Sequence, residues 1–318
     1  MHAAGPFLCI YGAWMKKWYI VPVKTFFCKI CAAIFSCIVY RFLRVVGWKR
    51  STVYANLHHV SNALLSVKGE GGQQLQNPKA FYCELLRHLV RHVGELLFCF
   101  GFFKRLPAAL SAYPCRVAGW NFDIAEGSAD VLEKMRDGGI FLTAHYGNYE
   151  AIGPWLCCLG IPLKASYIPV KPAWLNRILE GRIRAVDGYR YSVDARTPRE
   201  FLRLLDEGKL FCLLADQDSR IPSATDGIFL GKPVCNNPLP EFLLKYRPET
   251  PVFVCWMEER GNATKVLHAV EIQRESVMES YNEWLGERIA QNPTLWYGFT
   301  HRRFMSKAPE RYEVDGRK

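Results

Sequence analysis

A chain of 318 residues, half of them hydrophobic and 14% aromatic, is too apolar to be disordered and long enough to bury a large core. Its formal net charge is +11, yet nine Lys and Arg residues precede the first acidic residue, Glu70, so the remainder carries only +2. That distribution excludes a generally basic, nucleic-acid-binding surface and describes a near-neutral body behind a basic, apolar leader. The twelve cysteines are scattered among apolar neighbours, which fits a reducing compartment better than a disulfide framework. Cys28 and Cys31 form a CxxC with no second CxxC or CxxH to complete it, so no metal site is expected.

In chain order, the leader occupies residues 1–50, a main domain 51–308 and a charged tail 309–318. Within the leader the longest uncharged stretch, Ile30 to Tyr40, has 11 residues, short of the roughly 20 that span a bilayer. Lys29, Arg41 and Arg44 share one arc of a helical wheel, so the leader reads as a membrane-associated helix lying in or shallowly inserted into the interface. Trp14, Trp18 and Trp48 suit the headgroup boundary. Residues 51–79 read as a helix followed by a loop at Gly69-Glu70-Gly71-Gly72, and 80–103 as a second helix. His88 and His92 lie on that second helix at i, i+4 without a third ligand, the pattern of solvated or core-edge histidines.

From residue 128 helices and strands alternate. A helix at 128–137 precedes a strand at 140–144; a helix after it stops near Gly160; Leu163–Ile168 is extended. Pro172–Val186 reads as helical, Tyr191–Val193 as a short strand. Thr197-Pro198-Arg199-Glu200 is a capping box with proline at the first helical position, and that helix closes at Gly208. Leu210–Ala215 suits a central strand; strands near 251–257 and 265–272 and a helix at 276–291 follow. The pattern predicts an α/β fold with a largely parallel central sheet flanked by helices. In such sheets sites gather beyond the carboxyl ends of strands, where both His145 and Asp216 fall.

The segment His145-Tyr146-Gly147-Asn148-Tyr149-Glu150 connects a buried strand to a helix through a glycine turn. Within one helix, residues five apart point about 140° away from each other. Across a strand-to-helix turn His145 and Glu150 can face one another, and a histidine with one ring nitrogen held by a carboxylate is a prepared general base. Gly147 allows a tight turn and close approach of substrate. Asp216 and Asp218 either order a substrate or cap the following turn. Arg302 and Arg303, between His301 and Phe304, suit clamping of phosphate or carboxylate, and Arg182 and Arg184 are further anion contacts.

The six-residue motif resembles the H-x-G-N-W-E signature of the bacterial lipid A biosynthesis late acyltransferases (the lauroyl/myristoyl transferase family). Asn56 to Leu65 resembles the family's early N-L-x-x-x-F-P region without its proline. Leu213-Leu214-Ala215-Asp216-Gln217-Asp218 resembles its L-x-D-Q-D strand end, and Gly227-Ile228-Phe229-Leu230-Gly231 its V-x-F-F-G block. Trp296 to Phe304 resembles the terminal W-x-x-x-H-R-R-F. The resemblance implies transfer of a fatty acyl group from acyl carrier protein to a hydroxyl of a membrane glycolipid, at the cytoplasmic face of the cell inner membrane and with no cofactor. It implies His145 as general base and Glu150 as the carboxylate that fixes its tautomer. Gly147, Asn148, Lys171, Arg182, Asp216, Gln217, Asp218, Arg302 and Arg303 are then the substrate-binding positions. Two departures bear on the substrate. Ile168-Pro169 stands where the family has an arginine before proline, with Lys171 or Arg182 as substitutes. Asn236-Asn237-Pro238-Leu239-Pro240 replaces T-x-x-G-P-A. The alternatives are an acyltransferase acting on a phospholipid or another glycolipid, from acyl carrier protein or acyl-CoA, and a thioesterase or lipid hydrolase. The absence of a G-x-S-x-G turn argues against a serine hydrolase.

Overall fold

The computed structural model describes residues 7–66, 75–167, 169, 171–193, 197–261 and 263–315. Among the described residues the α-helices longer than one turn are α1 (Phe7–Val46), α2 (Arg50–Ser66), α3 (Pro78–Phe98), α4 (Ser128–Lys134), α5 (Ile152–Cys158), α6 (Ala173–Ile178), α7 (Pro198–Asp206), α8 (Leu239–Tyr246) and α9 (Val277–Gln291). The strands are β1 (Cys115–Val117), β2 (Trp120–Ile124), β3 (Gly139–Thr143), β4 (Leu163–Ser166), β5 (Ala185–Val186), β6 (Tyr189–Arg190), β7 (Ser192–Val193), β8 (Leu210–Leu214), β9 (Thr225–Phe229), β10 (Lys232–Asn236), β11 (Val252–Arg260) and β12 (Thr264–Ile272). Eight of them form one sheet in the order β1-β2-β12-β11-β3-β8-β4-β7. The pairings from β11 through β3, β8 and β4 to β7 are parallel, as is β12 with β2. The β11–β12 hairpin and the β1–β2 edge are antiparallel.

The central strands are apolar at nearly every position because both faces are covered. Ile140, Leu142, Phe211, Leu213, Val252 and Val254 point to one layer, with Leu57 of α2, Leu85 of α3 and Tyr281 of α9. Phe141, Cys212, Phe253 and Cys255 point to the other, with Leu132 of α4 and Trp155 of α5. Each such side chain, fully buried, contributes on the order of 1.5–3 kcal/mol. The capping box forms as read: the Thr197 hydroxyl accepts from the Glu200 amide, and the Glu200 carboxylate accepts from the Thr197 amide.

Several expectations are corrected. The strands β1 and β2 and the separate β9–β10 hairpin were not foreseen. The helix expected over Pro172–Val186 runs from Ala173 through α6 and a π-helical turn over Leu179–Ile183, and Asp187-Gly188 then turns a two-residue hairpin between β5 and β6. The loop at Gly69–Gly72 lies outside the described residues. The basic leader is helical over Phe7–Val46. It packs along α3, where the Ser36 hydroxyl donates to Val90 O at 3.0 Å. Gly94 permits that approach, since a Cβ there would sit 2.5 Å from Ser36 Oγ. The opposite face of α1 exposes Phe26, Phe27, Ile30, Ile34, Ile38 and Phe42. Lys24–Val46 is, by length and composition, long and apolar enough to cross a membrane, longer than the uncharged stretch alone indicates.

Candidate active site

Parallel pairing of β3 and β8 places Thr143 opposite Leu214, and the Ala215 amide donates to Thr143 O at 3.1 Å. Continued two residues further, that register sets His145 beside Asp216. His145 Nδ1 lies 2.8 Å from Asp216 Oδ1, and the His145 amide donates to Asp216 Oδ2 at 3.0 Å. The Trp296 indole N–H donates to the same Oδ2 at 2.9 Å. With Nδ1 engaged, Nε2 is the ring nitrogen left for a substrate. Burial raises the Asp216 carboxyl, but His145 and the bonds from it and from Trp296 outweigh that and hold it down at about 2. Burial likewise lowers the imidazole, but Asp216, with help from Glu150, raises its pKa above the usual 6.5. The pair is therefore a carboxylate-held histidine with strengthened basicity.

The carboxylate on His145 is thus Asp216, not Glu150 as the local turn had implied. Glu150 lies in a short 3-10 turn, Tyr149–Ala151, ahead of α5, and no hydrogen bond joins it to His145 among the described residues. Its cationic neighbour is Arg184, with Nη2 4.0 Å from Oε1. Burial pushes its pKa up, opposed by Arg184 and His145. Arg184 lies over the Tyr167 ring at 4.7 Å, and its Nη1 is buried without a hydrogen-bond partner among the described residues.

His145, Glu150 and Arg184 border one cavity of about 490 Å³, within the size range of small-molecule pockets. Phe141, Leu163, Ala165, Phe201, Leu213 and Leu239 make much of its wall apolar. An acyl chain fits such a wall, and a hydroxyl or carbonyl fits its polar end.

The other expected positions are distributed unevenly. Gln217 is exposed and borders the cavity. Gly147 adopts a left-handed conformation, φ 58°, at the turn. Asn148 is buried and donates to Glu95 Oε2 at 2.9 Å, which takes it away from substrate. Asp218 accepts from the Ser306 hydroxyl at 2.8 Å and braces a loop. Arg303 is a correction: it is 1% exposed and donates to Gln217 O, Cys235 O and Asn236 Oδ1, leaving no surface for clamping an anion. Arg302 and the exposed Lys171 do not border the cavity. Ile168 and the side chain of Arg182 lie outside the described residues.

Two residues were not singled out beforehand. Trp296 was read only as part of a block, yet its indole orients Asp216. Gly298 makes room for it, because a Cβ there would fall 2.0 Å from the indole ring. The sequence signal was a tryptophan two residues before a glycine, interpretable only once Asp216 is known to lie opposite. The same segment zips onto the motif: the Gly147 amide donates to Leu295 O at 2.9 Å and the Tyr297 amide to His145 O at 2.8 Å.

Residues 123–306, more than half of the chain, match the protein family described as bacterial lipid A biosynthesis acyltransferase. No curated protein matches the chain.

Proposed function

The chain belongs to the bacterial lipid A biosynthesis acyltransferase family and is an acyltransferase; from that premise we propose that it moves a fatty acyl group from acyl carrier protein to a hydroxyl of a lipid A precursor-like glycolipid. His145 is the general base, oriented by Asp216. The observation that carries this reading is the 2.8 Å contact between His145 Nδ1 and a carboxylate with no exposed surface, at the mouth of an apolar cavity.

An alcohol is a poor nucleophile until its proton is removed as it attacks. Nε2 takes that proton while the hydroxyl oxygen bonds to the thioester carbonyl carbon. Asp216 supports the imidazolium that results, as the third member of a catalytic triad does. The oxygen of the tetrahedral intermediate is negative, and Arg184, with an uncommitted Nη1, is the cation that borders the same cavity. Collapse breaks the C–S bond, and the departing thiolate receives the proton from Nε2. An ester and a free carrier thiol are the products. Glu150 holds Arg184 and adds a second negative charge that favours the imidazolium.

The exposed apolar face of α1 and the basic leader fit a site at the membrane surface on the cytoplasmic leaflet, where carrier-bound acyl chains and lipid acceptors meet. The test is mass spectrometry of lipids after incubating the purified enzyme with acyl carrier protein thioester and a panel of glycolipids and phospholipids. One added acyl mass on a glycolipid hydroxyl supports the reading. Acylation confined to phospholipids moves the acceptor class, and release of free fatty acid without an acylated lipid makes the enzyme a thioesterase.

A further inference from the structure

Behind the turn that carries His145 lies a network of charged side chains, buried except at the partly exposed Arg91, that the acyl-transfer steps do not use. It is assembled from three elements of the fold. Lys265 on β12, 3% exposed, donates to Glu95 Oε2 on α3 at 2.8 Å and to Glu259 Oε1 on β11 at 2.5 Å. Arg91 pairs with Glu259 and lies 3.8 Å from Glu95. His92 Nε2 contacts Glu259 Oε2 at 3.1 Å, and its Nδ1 is hydrogen-bonded to the Tyr297 hydroxyl. Two acids and two bases thus balance in charge around one histidine.

The network touches the motif at two points. Glu95 Oε2 accepts from the Asn148 amide at 2.9 Å, and Tyr297, fixed through its hydroxyl by His92, donates its backbone amide to His145 O at 2.8 Å. The two points bracket Gly147, where the chain turns through a positive φ. Buried ion clusters seldom stabilise a fold more than apolar residues of the same volume would, because desolvation offsets the attraction. A cluster of this kind is better explained by what it fixes in place. Here that is the stretch between the base and the start of the following helix.

We propose that Glu95 is a positioning residue for His145. Held by Lys265, it fixes Asn148, while Glu259 and His92 fix Tyr297, and the two grips together set the imidazole against Asp216. This rests on the reading of His145 as the base. A base displaced by about 1 Å loses on the order of 100-fold in rate, so the grip is read in kcat rather than in KM.

The test compares Asn148→Asp, Asn148→Ala and the exchange Asn148→Asp with Glu95→Gln, all in the full chain in detergent micelles. Asn148→Asp sets two carboxylates against each other. The exchange restores a donor facing an acceptor and the original charge count. Positioning predicts that Asn148→Asp lowers kcat about 100-fold and Asn148→Ala about 10-fold at unchanged KM, and that the exchange recovers most of the loss. In parallel, the low-field proton resonance of the His145–Asp216 hydrogen bond is followed by NMR with labelled histidine, which needs no acceptor lipid. It shifts or broadens in both single variants and returns in the exchange. A wild-type enzyme that transfers no acyl group would sink the functional reading alone, because the resonance still reports the positioning. If Asn148→Asp fails to fold, Asn148→Ala carries the comparison. The proposal is overturned if folded Asn148→Ala keeps wild-type kcat and an unmoved resonance, or if the exchange stays as impaired as Asn148→Asp.

Discussion

Asp216 accepts from His145 N–H and Trp296 Nε1–H on one oxygen and engages His145 Nδ1 with the other, and its side chain has no exposed surface. Asp216→Asn keeps the shape but leaves one acceptor oxygen for three donors, so an amide N–H must face another N–H. The least costly accommodation turns the amide nitrogen toward Nδ1, which then accepts instead of donating. That moves the ring proton to Nε2 and removes the lone pair that takes the substrate proton. In the Ser-His-Asp triad the same change costs about 10⁴ in kcat, and a loss of about 10³–10⁴ with little change in KM is expected here. Stability falls as well. A carboxyl titrating at about 2 instead of 3.8 contributes on the order of 2 kcal/mol at neutral pH. Because its pKa is depressed on folding, that contribution is present above pH 3.8 and is lost as pH falls toward 2. The assay is steady-state transfer from acyl carrier protein thioester, with unfolding followed in parallel between pH 2 and 7. An Asp216→Asn enzyme that stays folded and keeps more than about a tenth of wild-type kcat would refute the assignment of Asp216 as the orienting carboxylate.

Glu150→Gln removes a charge that helps raise the His145 pKa without removing its hydrogen bond, so the acid limb of the pH–rate profile should move to lower pH. A limb that stays in place would mean that Glu150 does not act on His145 by charge. The exposed positions Ile34 and Ile38 on α1 are expected to face lipid, where a buried charge costs about 3 kcal/mol each. Ile34→Asp with Ile38→Asp should therefore release much of the enzyme from membranes in a flotation assay, and full retention would remove that role from this face. Trp296→Phe deletes one donor to Asp216 while keeping an aromatic ring beside Phe229. A fall in kcat of about 10-fold is expected, corresponding to about 1.4 kcal/mol, and an unchanged kcat would show that the indole N–H does not matter.

Much of this site was legible in the chain because local patterns are written locally. The apolar run 140–144, the following glycine turn and the capping box at Thr197 each sit within a few residues and were read at their observed positions. His145 and Asp216 were both recognised as strand-end residues. Their contact was not, since they are 71 residues apart and meet only through the parallel pairing of β3 with β8. Glu150 was assigned instead because it is near in sequence, whereas the 3-10 turn leaves it beside Arg184. The same blindness to distant partners hid Trp296, and it made Arg303 look like a clamp when it is buried with both Nη groups donating to Gln217, Cys235 and Asn236. The β5–β6 hairpin was a different kind of miss. Asp187-Gly188 is a strong hairpin turn, but two-residue strands beside a helical pattern gave it little support.

The most direct measurement is a single-turnover assay with His145→Ala, shown to be folded and membrane-bound, in which the acylated lipid is quantified by mass spectrometry. Loss of transfer by about 10³-fold or more, with the donor still bound, is the predicted result. Transfer at the wild-type rate would contradict the account, because no base would then be acting at His145.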